Sequence, residues 1–312
     1  VMGSKKLKAI VARGNKEVRI AEEARVTATT KKLAPDILKN TKRLSEYGTS
    51  QIMTTLEELG DLPIRNWKQG QWKDGAERLS GVTMAKTILK GRYFCGSCIV
   101  GCGRVVSITK GEYAGVEGAG PEYETMGMVG ANTLLDSLEA VAKAHELCNR
   151  YGLDVISTGA VIGFALEAAE RGIITQEQAG GLDLDWGNGS SIVKLVEKIG
   201  RREGLGHLLG EGVMRAAGSL GKGSEAFALH VKGLEPPAHD PRAYNSLAVG
   251  YATANRGACH LQGMSYAFER SVTMPELGYH EVQDRFGVAD KGELVAKTQD
   301  LMSLFDSLKL CR

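Results

Sequence analysis

Long apolar runs, aromatic residues and an excess of charge of either sign are what this sequence has least of. No stretch of about 18 uninterrupted apolar residues occurs in its 312 residues, so no transmembrane helix is expected. Aromatic residues make up 6%, which argues against an aromatic-rich binding face. Lys and Arg total 39 against 37 Asp and Glu. A net charge of +2 is too small for nucleic acid or an anionic membrane to be the main partner. No charged n-region, apolar core and cleavage site opens the chain, so no signal peptide is visible. What is present is ordinary for a folded chain, at 43% hydrophobic and 24% charged. Forty glycines suit close backbone approaches and packing of small residues between helices. The length suggests two domains. The chain opens at Val1 and stops at Arg312 directly after a helical pattern, which predicts a piece of a longer protein.

The six cysteines are Cys95, Cys98, Cys102, Cys148, Cys259 and Cys311. Three form C-x2-C-x3-C in RYFCGSCIVGCGR. A disulfide framework does not suit a chain of this length, and tight C-x2-C spacing suits a metal better. Zinc usually takes paired C-x2-C knuckles or Cys with His, and no second pair or H-x3-5-H is present. A [4Fe–4S] cluster needs four thiolates, often three from one loop and a distant fourth. Gly96, Gly101 and Gly103 would let the backbone bend around such a cluster. Iron–sulfur is the favoured reading, with zinc and purely structural thiols as rivals. The fourth ligand is Cys148, Cys259 or Cys311, and spacing does not choose among them.

Along the chain, residues 6–13 read as a strand and 15–32 as a charged, Thr-rich connection. Residues 34–60 show helical periodicity, and 61–82 carry Trp67 and Trp72 in an irregular segment. The cysteine loop spans 92–104, followed by a hairpin with Lys110-Gly111 at its turn. Helical patterns then dominate: 134–152, 156–172 (apolar over most of its surface and so buried), 190–204, 207–221, 246–257 and 294–311. Residues 226–233 read as a short strand. The segments NRYGLD (149–154) and DSLKLC (306–311) share a polar-x-x-x-Leu-polar shape at helix C-termini.

Three polar groups are candidates for chemistry. PEYET puts Glu122 and Glu124 before a helix, where capping is the default reading; proton transfer would require a desolvated carboxyl with a raised pKa. In KGLEPPAHDPR, His239, Asp240 and Arg242 read as a local ion pair on a loop stiffened by Pro236 and Pro237. ANRGACHL carries Arg256, Cys259 and His260, and His260 is a candidate acid/base. Residue by residue, then, the chain reads as a mainly helical, iron–sulfur redox protein.

The segments VMGSKKLKAI, CGSCIVGC, GPEYETMG, NRYGLDVISTG, KGLEPPAHDPR, ANRGACHL and DSLKLC, in this order, resemble the tungsten-containing aldehyde:ferredoxin oxidoreductase family over essentially the whole length. The resemblance implies a mainly α fold, helical domains 2 and 3 of that architecture with a few short strands. It implies a remnant of an N-terminal cofactor-binding β domain at 1–14 and a helical domain at 15–229 with the cysteine loop and first pterin motif. A second helical domain at 230–312 would carry the second motif and the fourth cysteine. The implied cofactors are a tungsten (or molybdenum) bis-pyranopterin and a [4Fe–4S] cluster held by Cys95, Cys98, Cys102 and Cys311. Glu124 and His260 would stand beside the metal as proton-transfer groups. The pterin motifs map onto Asn149, Gly152, Leu153 and Asp154 and onto Asp306, Lys309, Leu310 and Cys311, with Arg256 as a weaker anchor. Asn149 stands where Asp is usual and Lys309 where Gly is usual. The implied activity is oxidation of aldehydes to carboxylic acids with electrons passed to ferredoxin. The alternatives are a reductase of activated carboxylates at the same centre or a non-catalytic electron-transfer or scaffold chain. An oxygen-sensitive cluster points to a reducing cytoplasm, and a homodimer is left open.

Overall fold

The structure is a computed structural model that describes residues 2–311; Val1 and Arg312, the outer limits of the first and last expected segments, lie outside the described residues. The chain separates into two compact units, Val1–Thr41 and Lys42–Arg312.

In the first unit, a helix α1 (Glu23–Asn40) follows an extended stretch. This corrects two expectations. Residues 15–32 are not all a connection, because EARVTATTKK supplies enough helix formers for α1 to start at Glu23 and run through Pro35. Residues 6–13 do not form a strand, and Ile10 and Val11 are 78% and 92% exposed. A strand needs a ladder partner, and within residues 2–41 no second extended segment is available to pair with it.

The second unit is mainly helical. Short helices α2 (Lys42–Tyr47), α3 (Met53–Glu58), α4 (Lys73–Arg78) and α5 (Gly81–Thr87) lead to a three-stranded antiparallel sheet, β1 (Leu89–Tyr93), β2 (Gly103–Ser107) and β3 (Glu117–Ala119), in the order β1-β2-β3. The expected hairpin is the β2–β3 pair, while β1 adds an unexpected neighbour with Tyr93 opposite Gly103. The cysteine loop is therefore the tip of the β1–β2 hairpin. A Cβ on Gly101, whose φ is +65°, would lie 2.4 Å from the Phe94 ring, so this glycine lets the loop fold back on its own aromatic residue.

A one-turn helix α6 (Tyr123–Thr125) and a π-helical turn then meet α8 (Val155–Glu170), which is buried from Thr158 to Ala168, as its continuous apolar sequence predicts. The preceding α7 (Leu138–Tyr151) starts later than its periodicity predicts. Ser137 caps it by accepting from the Ala140 N–H, and Leu134 takes a left-handed conformation outside it. Helices α9 (Gly189–Arg201), α10 (Leu205–Leu209) and α11 (Val213–Leu220) complete the larger hydrophobic cluster. Residues 226–233 are not a strand. They hold a 3-10 turn and one isolated bridge, Val231 with Leu234, because no ladder neighbour is present among the described residues.

Helices α12 (Asn245–Thr253) and α13 (Lys291–Leu308) close the unit, with a smaller cluster of Ala243, Tyr244, Leu247, Tyr251, Ala258 and Tyr266. Among the described residues no single helix is long and apolar enough to cross a membrane, although α7 and α8, bent by 120°, pass that test as a pair on length and composition. Both are largely buried in the unit.

Candidate active site

The site is assembled from four separate stretches of chain. Glu124 sits on α6, Asp61 follows α3, His239 lies on the proline loop, and His260 follows α12. The capping role expected of the PEYET carboxylates does not occur: neither bonds the backbone of its own helix. Glu122 accepts from the Thr49 hydroxyl. Glu124 reaches across to the proline loop, where its Oε2 accepts from the Ala238 N–H at 2.7 Å. Its Oε1 faces two imidazoles, His260 Nε2 at 3.2 Å and His239 Nε2 at 3.8 Å.

His239 does not join the expected pair with Asp240 and Arg242. Those two bond each other at 2.6 Å, while His239 Nδ1 lies 2.7 Å from Asp61 Oδ2. Asp61 is fully buried and its Oδ1 accepts from the Asp240 N–H at 2.8 Å. Tyrosine hydroxyls fix the loop backbone: Tyr123 donates to Ala238 O at 2.6 Å and Tyr251 to His239 O at 2.8 Å. The Tyr266 ring stacks obliquely 4.7 Å from His239. On the far side of the loop, a cleft of about 460 Å³ touches Tyr251 and Asp240 but not Glu124, His239 or His260.

Burial raises the Glu124 pKa, and Asp61 and Asp154 add to the rise; His239 and the Ala238 N–H oppose it. Burial likewise raises Asp61 against the pull of His239. Burial alone would lower His239, but Asp61 through charge and hydrogen bond, with Glu124, raises it above the ordinary histidine value. Two acids and an imidazole therefore compete for protons in a largely buried site: the Glu124 side chain is 20% exposed, but its Oε1 atom is itself buried. Such an arrangement can take up and return a proton.

The two expected pterin motifs have the same backbone ending. After α7, Gly152 is left-handed (φ +71°) and the Leu153 N–H bonds Cys148 O at 2.9 Å. After α13, Lys309 is left-handed (φ +58°) and the Leu310 N–H bonds Phe305 O at 2.9 Å. Lys309 thus keeps the turn that Gly would favour, at a cost of about 1–2 kcal/mol for a side chain in that region. Asp154 caps α8 through Ser157 N, and Gly152, Leu153 and Asp154 line a cavity of about 240 Å³ with Arg202. Asp306, Leu310 and Cys311 stand on the exposed end of the unit, and Arg256 donates to the Cys259 thiol at 3.0 Å.

Asn149 has a defined partner. Its amide lies 3.0 Å from His145 Nε2, and His145 Nδ1 lies 3.1 Å from the Thr125 hydroxyl. Burial lowers His145 to about 4, so the ring is neutral and its Nε2 accepts from the amide. An Asp at 149 would favour the imidazolium instead. Asn149→Asp is expected to bring the His145 pKa up from about 4, read by NMR titration of its ring protons; an unmoved titration would reject this pairing.

Of the thiols, Cys148 is buried and burial pushes it up to about 11, which makes it an inert core residue. Cys259 is also buried. Cys102 is raised by burial first, then by Glu122, Cys311 and Cys95, so Cys311 and Cys95 stand within electrostatic reach of it. The Val100 N–H donates to the Cys98 sulfur at 3.4 Å. A single tetrahedral zinc needs its sulfurs about 3.8 Å apart. Among the described residues the set of three possible ligands that converges within 4.8 Å is Glu124, His239 and His260, not the thiols.

Comparison with known proteins decides the family. Residues 26–312 match the family model described as aldehyde ferredoxin oxidoreductase, domains 2 and 3. The chain belongs to the aldehyde ferredoxin oxidoreductase family. It is 37% identical, over its whole length, to the tungsten-containing aldehyde ferredoxin oxidoreductase of Pyrococcus furiosus and 36% identical to that of Thermococcus kodakarensis. It covers 50% of each, so it spans about half the length of these relatives. A second P. furiosus protein, an aliphatic sulfonate oxidoreductase WOR-like subunit, is 31% identical over 83% of the chain and 42% of its own length. The fold recurs in the active-site complex BamBC of benzoyl coenzyme A reductase, with a TM-score of 0.71 at 20% identity over 99% of this chain and 52% of that one.

Sequence reading singled out Glu124 and His260, which the structure brings together at 3.2 Å, but passed over Asp61 and its pairing with His239. Asp61 lies in a segment with no motif, and its link to His239 spans 178 residues of sequence. The proline loop was the one available signal, since stiff backbone often presents a functional group.

Proposed function

We propose that this chain is the part of a tungsten- or molybdenum-dependent oxidoreductase that supplies proton-transfer groups and cluster ligands for converting aldehydes to carboxylic acids. The observation that carries the reading is the approach of Glu124 Oε1 to His260 Nε2, 3.2 Å apart at a largely buried site, in a member of the aldehyde ferredoxin oxidoreductase family. Asn149, Gly152, Leu153 and Asp154 would hold one pterin. Asp306, Lys309 and Leu310 would hold the other, with Arg256 as a weaker anchor. Cys95, Cys98, Cys102 and Cys311 would hold a [4Fe–4S] cluster. When bound, the metal–pterin centre supplies the two-electron chemistry and the cluster a one-electron exit.

The rest falls to the chain's own side chains. The Ala238 N–H fixes Glu124 Oε2, leaving Oε1 to take a proton from water or a hydrated substrate. His260 stands where it can receive that proton or donate to a substrate oxygen. Asp61 fixes the His239 ring through Nδ1, so that Nε2 faces the same carboxylate. Ferredoxin is the proposed electron acceptor, a reducing cytoplasm the proposed compartment, and 229/230 the proposed boundary between two helical domains.

The test is metal analysis of anaerobically purified protein with a dye-reduction assay. About four irons per chain and one tungsten or molybdenum in the full-length enzyme, with dye reduced only when an aldehyde is added, are the expected results. Zinc, or no metal, would reject the reading. Activity confined to an activated carboxylate would replace the substrate with the reductase alternative.

A further inference from the structure

Arg104 lies two residues beyond Cys102, on β2, and is only 1% exposed. All four of its hydrogen bonds run to main-chain carbonyls. Nε donates to Cys102 O at 2.9 Å and Nη2 to Gly101 O at 2.9 Å, inside the cysteine loop. Nη1 donates to Glu46 O at 2.7 Å and Nη2 also to Ser45 O at 2.8 Å, near the end of α2. The guanidinium thus ties the loop to a helix end. Its planar fork reaches carbonyls on two sides, which a lysine ammonium, a compact point charge, does not.

The charge is solvated by dipoles and, among the described residues, bonded to no carboxylate. The acid whose field reaches it most strongly is Glu122, which is bonded to Thr49. Burying a cation without a bonded counter-ion is costly, so its retention calls for a role. The surrounding chain makes room for it. Gly48 has φ +68°, and a Cβ there would lie 2.9 Å from Arg104 Cδ. Arg92, opposite Arg104 in the sheet register, is exposed, so solvent screens its charge.

We propose that Arg104 sets the reduction potential of the cluster held by the 95–102 loop, by clamping the carbonyls of Gly101 and Cys102 and by keeping an uncancelled positive charge beside Cys102. This rests on the cluster reading given above. Reduction adds negative charge to a cluster, so a fixed cation nearby favours the reduced form and raises the potential.

The test is an EPR-monitored redox titration with iron analysis on anaerobically purified wild-type, R104Q and R104K proteins. With iron retained, R104Q should have a more negative midpoint than wild type, and R104K a smaller shift in the same direction. An iron-loaded R104Q with the wild-type midpoint overturns the proposal. Should R104Q lose its iron, R104K and G48A decide, because both keep a cation and displace it from its present position. A more negative midpoint in both is expected, and wild-type midpoints in both overturn the proposal. Absence of iron from the wild-type protein would instead remove the cluster reading on which it rests.

Discussion

Glu124→Gln is expected to lower turnover of the full-length enzyme by about 10²- to 10⁴-fold, the usual worth of one positioned proton-transfer group, with metal content unchanged. The geometry makes this substitution unusually clean. The Ala238 N–H requires an oxygen at the Oε2 position, so the amide of the variant can orient only one way. Its NH2 then takes the Oε1 position, facing the Nε2 atoms of His260 and His239, where it cannot accept a proton. The raised pKa of Glu124, caused first by burial, places the acid limb of the wild-type pH–rate profile above the ordinary carboxylate range. That limb should disappear in the variant. Wild-type turnover in a metal-loaded Gln variant would exclude Glu124 as the base.

The parts of this protein that were legible in its sequence are those determined by local pattern. The buried character of α8 follows from its continuous apolar run, and the matching helix ends at Gly152 and Lys309 follow from the short echo between NRYGLD and DSLKLC. The C-x2-C-x3-C spacing marked a segment that the structure places at the tip of the β1–β2 hairpin. What the pattern did not contain was the set of distant partners. β1 is mostly exposed and takes its identity from pairing with β2, so its own residues announce nothing. Residues 6–13 show the converse, a strand-like pattern with no ladder beside it. Glu122 and Glu124 looked like helix caps because a carboxylate near a helix N-terminus has a sufficient local explanation. Their actual partners, Thr49 and Ala238, are 73 and 114 residues away. His239 had a nearby acid in Asp240, yet it pairs with Asp61 because Arg242 claims Asp240.

That Asp61–His239 pair carries the second large expected effect. Both side chains are almost wholly buried, so Asp61→Ala should destabilise the protein by about 3–5 kcal/mol, the typical cost of removing one partner from a buried ion pair. Asp61→Asn keeps an oxygen for the Asp240 N–H but removes the charge, and so separates electrostatics from packing. In the wild type the raised pKa of His239 means the native state binds this proton more tightly than the unfolded chain does. The contribution is therefore fully present below about pH 6.5, the ordinary histidine value, and is lost as pH rises through the raised native value. With Asn at 61, burial dominates and the His239 pKa falls. The decline in unfolding free energy above pH 6.5 should then flatten, as urea titrations at several pH values would read. The same change removes the Asp61 charge that raises the Glu124 pKa but also withdraws the larger, lowering effect of the His239 charge, so the acid limb of the pH–rate profile should move up. A variant whose stability slope and acid limb both match the wild type would mean that Asp61 only fills space. A shift in both would place Asp61 behind the reacting carboxylate as the group that positions and charges His239.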